Sequence, residues 1–170
     1  SFVGYTGDAW YDNHLLARVG LYEKLRDEYP EVEAVTCCDK IMGPKIINGI
    51  EAKALQVDST FIRVFSLPLV DGDYDFLTNE KEVAITEEFA QRLFPKDTEV
   101  IGNRVSFSYG LIAEVGAVIK DYGEHSIFQF DIVHTGSNDS HKGDLANIYA
   151  KIYEKANVDS LIARVDRFSE

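Results

Sequence analysis

Four histidines and a scatter of serines, carboxylates and two cysteines are the residues whose types could do chemistry. Ser126, Ser137 and Ser140 lie near His125, His134 and His141, the residue types of a hydrolytic nucleophile and its base. The Gly-x-Ser-x-Gly turn that would expose such a serine is missing, so these residues are assigned to loops. Asp131, His134, Asp139 and His141 offer metal-ligand types, but at no standard spacing, and the first lies in an expected strand while others lie in a polar loop. Asp71, Asp73 and Asp75 alternate as in a calcium loop, yet Gly72 sits inside the triplet, where an EF-hand needs its glycine after the acidic run. There is no G-x-x-x-x-G-K-[ST] phosphate loop and no G-x-G-x-x-G after a strand. No catalytic residue, metal ligand or cofactor site is therefore assigned.

Cys37 and Cys38 are adjacent. Neighbouring Cα atoms stand about 3.8 Å apart, closer than the roughly 4.4–6.8 Å of a relaxed disulfide. Two thiols are expected, at least one of them buried in a strand. His14 reads as a surface residue of the first helix, and Glu87 and Glu88 suit a helix start through the dipole.

The elements that must position these residues are legible from period and punctuation. Asp12 is the candidate cap of a helix to Tyr29, with Leu15, Val19, Tyr22, Leu25 and Tyr29 at helical spacing and Pro30 as its stop. A strand is expected at Glu33–Cys38. Ile46–Val57 reads as a hairpin around Asn48-Gly49. Asp58 is the candidate cap of a short helix over Ser59–Phe65, and Gly72–Glu82 reads as a loop. A strand at Val83–Ile85 leads to Thr86, the cap of a helix carrying Phe89, Ala90, Leu93 and Phe94. Gly102-Asn103 turns the chain into a strand over Arg104–Tyr109, and Gly110 turns it again into Ile112–Ile119. Further strands are expected at Ile127–Val133 and Asn147–Tyr153, separated by a polar loop over His134–Asp144, with a last helix at Asp159–Phe168. A helix–strand pair thus opens the chain and a strand–helix pair closes it. The expected fold is α+β and two-lobed. An α/β lobe, 1–43 and 112–170, is built from both chain ends, and a β-rich lobe carrying short helices, 44–111, is inserted.

Composition narrows the function classes. With 17 Lys and Arg against 29 Asp and Glu, the net charge is −12. Phosphate backbones and anionic lipid attract clustered cations, and none occur here, so nucleic acid is excluded as a partner. The acidic balance suits solubility and, more sharply, cationic ligands. No apolar run approaches the roughly 18 residues of a membrane span. The chain opens Ser1-Phe2-Val3-Gly4, without an initiating Met or a basic signal start, as expected of a segment excised from a longer protein.

From Gln56 to Arg104 the chain resembles the MacB-like periplasmic core domain of ABC-transporter permeases. Val57-Asp58-Ser59-Thr60-Phe61, followed by Val64 to Gly72, resembles the family block V-D-x-x-F-F-x-v-F-x-x-P-L-x-x-G, with Ile62 in place of the second Phe. Val83 to Phe94 resembles v-x-I-S/T-e-x-x-A-x-x-l-F. Ile101-Gly102-Asn103 resembles i-G-k, with Asn103 in place of Lys. Val115–Asp121, with Gly116 and Val118, resembles the following v-v-G-V-v-k-D strand, and Phe130-Asp131-Ile132 a later one. The opening helix and strand (Leu21–Val35) and the closing strand and helix (Tyr149–Val165) extend the likeness to nearly the whole chain. The signature positions are Asp58, Phe61, Phe65, Pro68, Leu69, Gly72, Val83, Ile85, Phe89, Ala90, Phe94 and Gly102, structural in role.

The resemblance implies a non-catalytic extracytoplasmic domain lying between the first two membrane helices of a permease in the bacterial inner membrane. It implies coupling of membrane-helix motion to substrate or partner handling, in efflux or in lipoprotein or peptide export. The implied partners are the transmembrane helices of the same permease, a cytoplasmic ABC ATPase acting indirectly, a second permease subunit and periplasmic accessory proteins. No cofactor is implied. A free-standing periplasmic binding or adhesion protein is the alternative, and a small hydrolase the third.

Overall fold

A computed structural model describes residues 2–4, 15–39, 44–96, 98–122, 126, 128–136 and 146–168. The chain opens with β1 (Phe2–Gly4), α1 (Leu15–Asp27) and β2 (Val32–Asp39). Next come β3 (Lys45–Ile47), β4 (Ile50–Ala52), β5 (Ala54–Val57), α2 (Phe61–Val64) and β6 (Leu69–Gly72). A 3-10 turn at Asp75–Leu77 leads to β7 (Glu82–Thr86), α3 (Glu87–Leu93), β8 (Arg104–Ser106) and β9 (Ile112–Ile119). β10 (Ile132–Thr135), β11 (Ala146–Ile152) and α4 (Val158–Phe168) complete it. This is an α+β fold, as expected.

Two compact units are present. The first comprises Ser1–Lys40, Thr60–Ser66 and Asn138–Glu170, the second Ile41–Ser59 and Leu67–Ser137. In the first, β11 is the central strand, antiparallel to β1 on one edge and to β2 on the other. Leu21 and Leu25 of α1 and Leu161 and Val165 of α4, each pair one turn apart, bury an apolar stripe with Tyr29, Val35, Ala150 and Ile152. Pro30 follows the last turn of α1, where Glu28 N donates to Lys24 O at 2.8 Å. Asn157 caps α4, its Oδ1 accepting from Ser160 N at 2.9 Å. Arg164 of α4 pairs with Glu31 and lies 5.1 Å from the Tyr29 ring centre. Thr60 Oγ1 donates to Val35 O at 2.7 Å and anchors the entry of α2 on β2.

In the second unit the strand order is β5-β10-β7-β9-β6. β10 is parallel to β5 and antiparallel to β7, and β7 is parallel to β9. β6 and β8 both pair antiparallel with β9, β6 on residues 117–119 and β8 on 112–114, so they follow one another along its other edge. The β3–β4 hairpin turns at Asn48 (φ 49°) and Gly49 (φ 80°), the doubly positive turn that matches strand twist. It is stapled to β8 by Asn48 N donating to Ser106 O and Ser106 N donating to Asn48 Oδ1. Phe89 and Ala90 of α3 pack with Ile47, Val83, Ile85, Val105, Phe107 and Ile132 in the core of this unit.

Several expectations are corrected. The lobe boundary expected at 112 differs from the observed division: 112–137 lies in the second unit because β9 pairs with β6, β7 and β8, and β10 with β5 and β7. Residues 60–66, expected in the inserted lobe, lie in the first unit with β2. The strand expected at Ile127–Val133 lies at Ile132–Thr135. Phe128 and Phe130 are buried at alternate positions as in a strand, but Asp131 N and Ile132 N both donate to Lys53 O, which breaks the ladder there. His134 therefore lies in β10 and does not open a loop. The loop expected at Gly72–Glu82 begins as the end of β6 and buries Phe76 and Leu77. β1 was not anticipated; its three residues carry too little pattern to read as a strand. Asp12 and the loop at 137–144 lie outside the described residues.

Candidate binding cleft of the second unit

The signature positions do not converge. Phe61 and Phe65 lie in the first unit, where Phe65 stacks 5.0 Å from Phe61 and meets Tyr149 edge-on at 5.1 Å. Asp58, Pro68, Leu69, Gly72, Val83, Ile85, Phe89, Ala90, Phe94 and Gly102 lie in the second. Phe61, Val83, Ile85, Phe89 and Ala90 are buried, Asp58, Phe65, Leu69 and Phe94 are half-buried, and Pro68, Gly72 and Gly102 are exposed. Pro68 O accepts from Lys120 N at 2.9 Å, which joins β6 to the end of β9.

Among the described residues, those with reactive types do not assemble either. Ser126 Oγ accepts from Phe128 N at 3.3 Å. His134 holds its Nδ1 3.2 Å from Thr135 O and its ring edge-on to Phe107, with centroids 6.0 Å apart. His14, His125, Ser137, Asp139, Ser140 and His141 lie outside the described residues. Asp71 Oδ1 accepts from Gly72 N and Asp73 Oδ1 from Asp75 N, so both close turns. Among the described residues no group of three or more His, Cys, Asp or Glu is placed to hold a metal ion. Cys37 and Cys38 are buried in β2 and are not joined in a disulfide.

A cleft of about 620 Å³ opens in the second unit where α3, the β4–β5 corner and the segments after β9 and before β10 meet. Its position follows from the start of α3. Thr86, extended at the N-cap, accepts from Phe89 N at 3.2 Å. Asp121 Oδ1 accepts from Glu88 N at 3.0 Å, so two of the orphan N–H groups of α3 are satisfied. On the next turn Arg92 donates to Glu51 O at 2.9 Å, lies 5.2 Å from the Phe89 ring centre and stands 3.5 Å from Asp131 Oδ1. Asp131 Oδ2 accepts from Lys53 N at 2.7 Å. Asp131, one of the metal-ligand types weighed above, is thus a tie between α3 and the β4–β5 corner.

Phe128 and Phe130 form an apolar wall, and Tyr122 meets Phe130 edge-on at 5.0 Å. Burial, reinforced by Tyr74, pushes the Tyr122 phenol up to about 12. No Ser, Cys or His lines the cleft among the described residues, so a paired nucleophile and base is not assembled there. The arrangement is suited to binding. Sequence reasoning placed Phe128 and Phe130 within an expected strand at Ile127–Val133 but did not find the cleft, because Arg92 and Asp131 carry no shared motif.

Residues 5–168 match the family model of the MacB-like periplasmic core domain. The chain belongs to this family. The MacB-like domain has the fold of several solved structures. The periplasmic region of MacB from Actinobacillus actinomycetemcomitans is 14% identical with a TM-score of 0.70, covering 98% of this chain and 79% of that one. A domain of a protein described as a permease from Porphyromonas gingivalis is 20% identical with a TM-score of 0.70, covering 86% and 75%. The extracellular domain of the noncanonic ABC-type transporter YknZ from Gram-positive bacteria is 18% identical with a TM-score of 0.65, covering 83% and 75%. No curated protein sequence matches the chain. The MacB-like domain is an extracytoplasmic part of an ABC-transporter permease. No helix among its described residues is long and apolar enough to cross a membrane.

Proposed function

We propose that this MacB-like domain is a non-catalytic coupling module, which converts movement of membrane helices into movement of an outer surface that meets substrate or partner. The observation that carries the proposal is the first unit. β1, near the start of the chain, pairs with β11, near its end, and α1 and α4 share one apolar cluster. Displacement at either end is thereby delivered to the same packed unit, and packed interiors transmit displacement because they compress little.

The direct partners in this proposal are the transmembrane helices of the same permease, in the bacterial inner membrane. The cytoplasmic ATPase acts through them, and a second permease subunit and periplasmic accessory proteins complete the assembly. Efflux or export of lipoproteins or peptides is the proposed task. The test uses the full transporter. A reversible cross-link between this domain and its counterpart in the opposite subunit is expected to stop substrate movement and leave basal ATP hydrolysis largely intact, and reduction is expected to restore movement. Substrate movement at the normal rate in the locked transporter would show the proposal to be wrong.

A further inference from the structure

We infer that the cleft of the second unit is a binding site for an organic cation with an apolar body. Its volume of about 620 Å³ lies within the roughly 300–1,000 Å³ of small-ligand pockets. Its wall is aromatic: Phe128 and Phe130 are only 8% and 7% exposed, yet both line the opening, and Tyr122 braces Phe130. Such rings attract an apolar body through burial and a cation through their faces.

Charge selects among apolar ligands. Among the described residues four carboxylate residues line the cleft (Glu51, Glu88, Asp121 and Asp131) against two cationic ones (Lys53 and Arg92). Arg92 is already engaged by Asp131, by the Glu51 carbonyl and by the Phe89 ring, so it offers little to an incoming anion. Asp131 is spent on Arg92 and Lys53 N. Asp121 gives one oxygen to Glu88 N. The Glu51 and Glu88 carboxylates have no ion-pair partner among the described residues, and with the second oxygen of Asp121 they outnumber the Lys53 ammonium. The surplus at the cleft is negative, as is the chain as a whole at −12. A long-range field of one sign raises the local concentration of oppositely charged ligands. An anion would meet repulsion, and a neutral ligand would forgo the attraction.

The site stands apart from the coupling proposal, since a domain can bind without transmitting force, and it is tested on this chain alone. The probe is tetraphenylphosphonium, titrated by calorimetry, with tetraphenylborate as the anion of the same shape. Saturable one-to-one binding of the phosphonium is expected, at least about tenfold tighter than the borate, a ratio that modest charge effects supply. Glu51→Gln combined with Glu88→Gln changes two exposed side chains and is expected to weaken the phosphonium about tenfold, with the melting temperature unchanged. Phe128→Leu, with folding checked by circular dichroism, is expected to weaken both probes. The inference is overturned by the absence of saturable binding, by equal affinity for the two probes, or by full affinity in the double Gln variant.

Discussion

Gly72 and Gly116 meet backbone to backbone. A Cβ at Gly72 would stand 2.1 Å from the Gly116 carbonyl oxygen and 2.8 Å from Ala117 Cα, and Gly72 also holds a φ of +80°. Gly102 has nearly the same φ, +83°, with nothing within 4 Å of its would-be Cβ. The two positions separate conformational strain from steric exclusion. Gly102→Ala is expected to cost about 1 kcal/mol, the strain of a left-handed residue. Gly72→Ala adds an overlap with backbone that cannot rotate away, and is expected to cost about 3 kcal/mol or more. Urea unfolding of both variants checks this, and equal losses would show that the β6–β9 contact yields more easily than its geometry implies.

Phe89 and Phe94 both belong to the apolar face expected of α3, but their burial differs. Phe89 is 0% exposed in the core of the second unit, whereas Phe94, the C-cap, packs only at its margin. Phe89→Ala is expected to cost about 3–5 kcal/mol through the cavity it leaves. Phe94→Ala is expected to cost about 1–2 kcal/mol, in proportion to its partial burial. Denaturant midpoints measure both, and the reverse ranking would move the core away from α3.

Tyr149 sits in the centre of the first unit's sheet, and its phenol is pushed from an ordinary value of 10.0 up to about 12, first by burial and then by Cys38. A raised pKa means that the folded state holds its proton more tightly than the unfolded chain. The contribution is complete below pH 10 and is lost as pH rises through about 12. Stability is therefore expected to fall across that window, and Tyr149→Phe to fall less steeply. Tyrosinate absorbance during a pH titration should show late-titrating groups that rejoin the ordinary ones on unfolding. Titration of every tyrosine near 10.0 in the folded chain would refute the prediction.

Local chemistry was readable without the structure because its causes lie within a few residues. Asn48-Gly49 makes its turn since both positions tolerate positive φ, Thr86 caps α3 since its hydroxyl reaches Phe89 N three residues on, and β9 occupies the span its alternation marks. The family, too, was legible, as ordered blocks of such local signals. What only the tertiary structure decided is which distant segments meet. β9 belongs to the second unit because its edges are taken by β6, β7 and β8, a matter of pairing that its own residues do not encode. The end of α3 is tied by Arg92 to Asp131, its start by Glu88 to Asp121, across 33 residues of chain, and the cleft exists only where these ties close. Strand pattern specifies which face is buried but not which partner covers it, so the site follows from long-range closure that no window of the sequence contains.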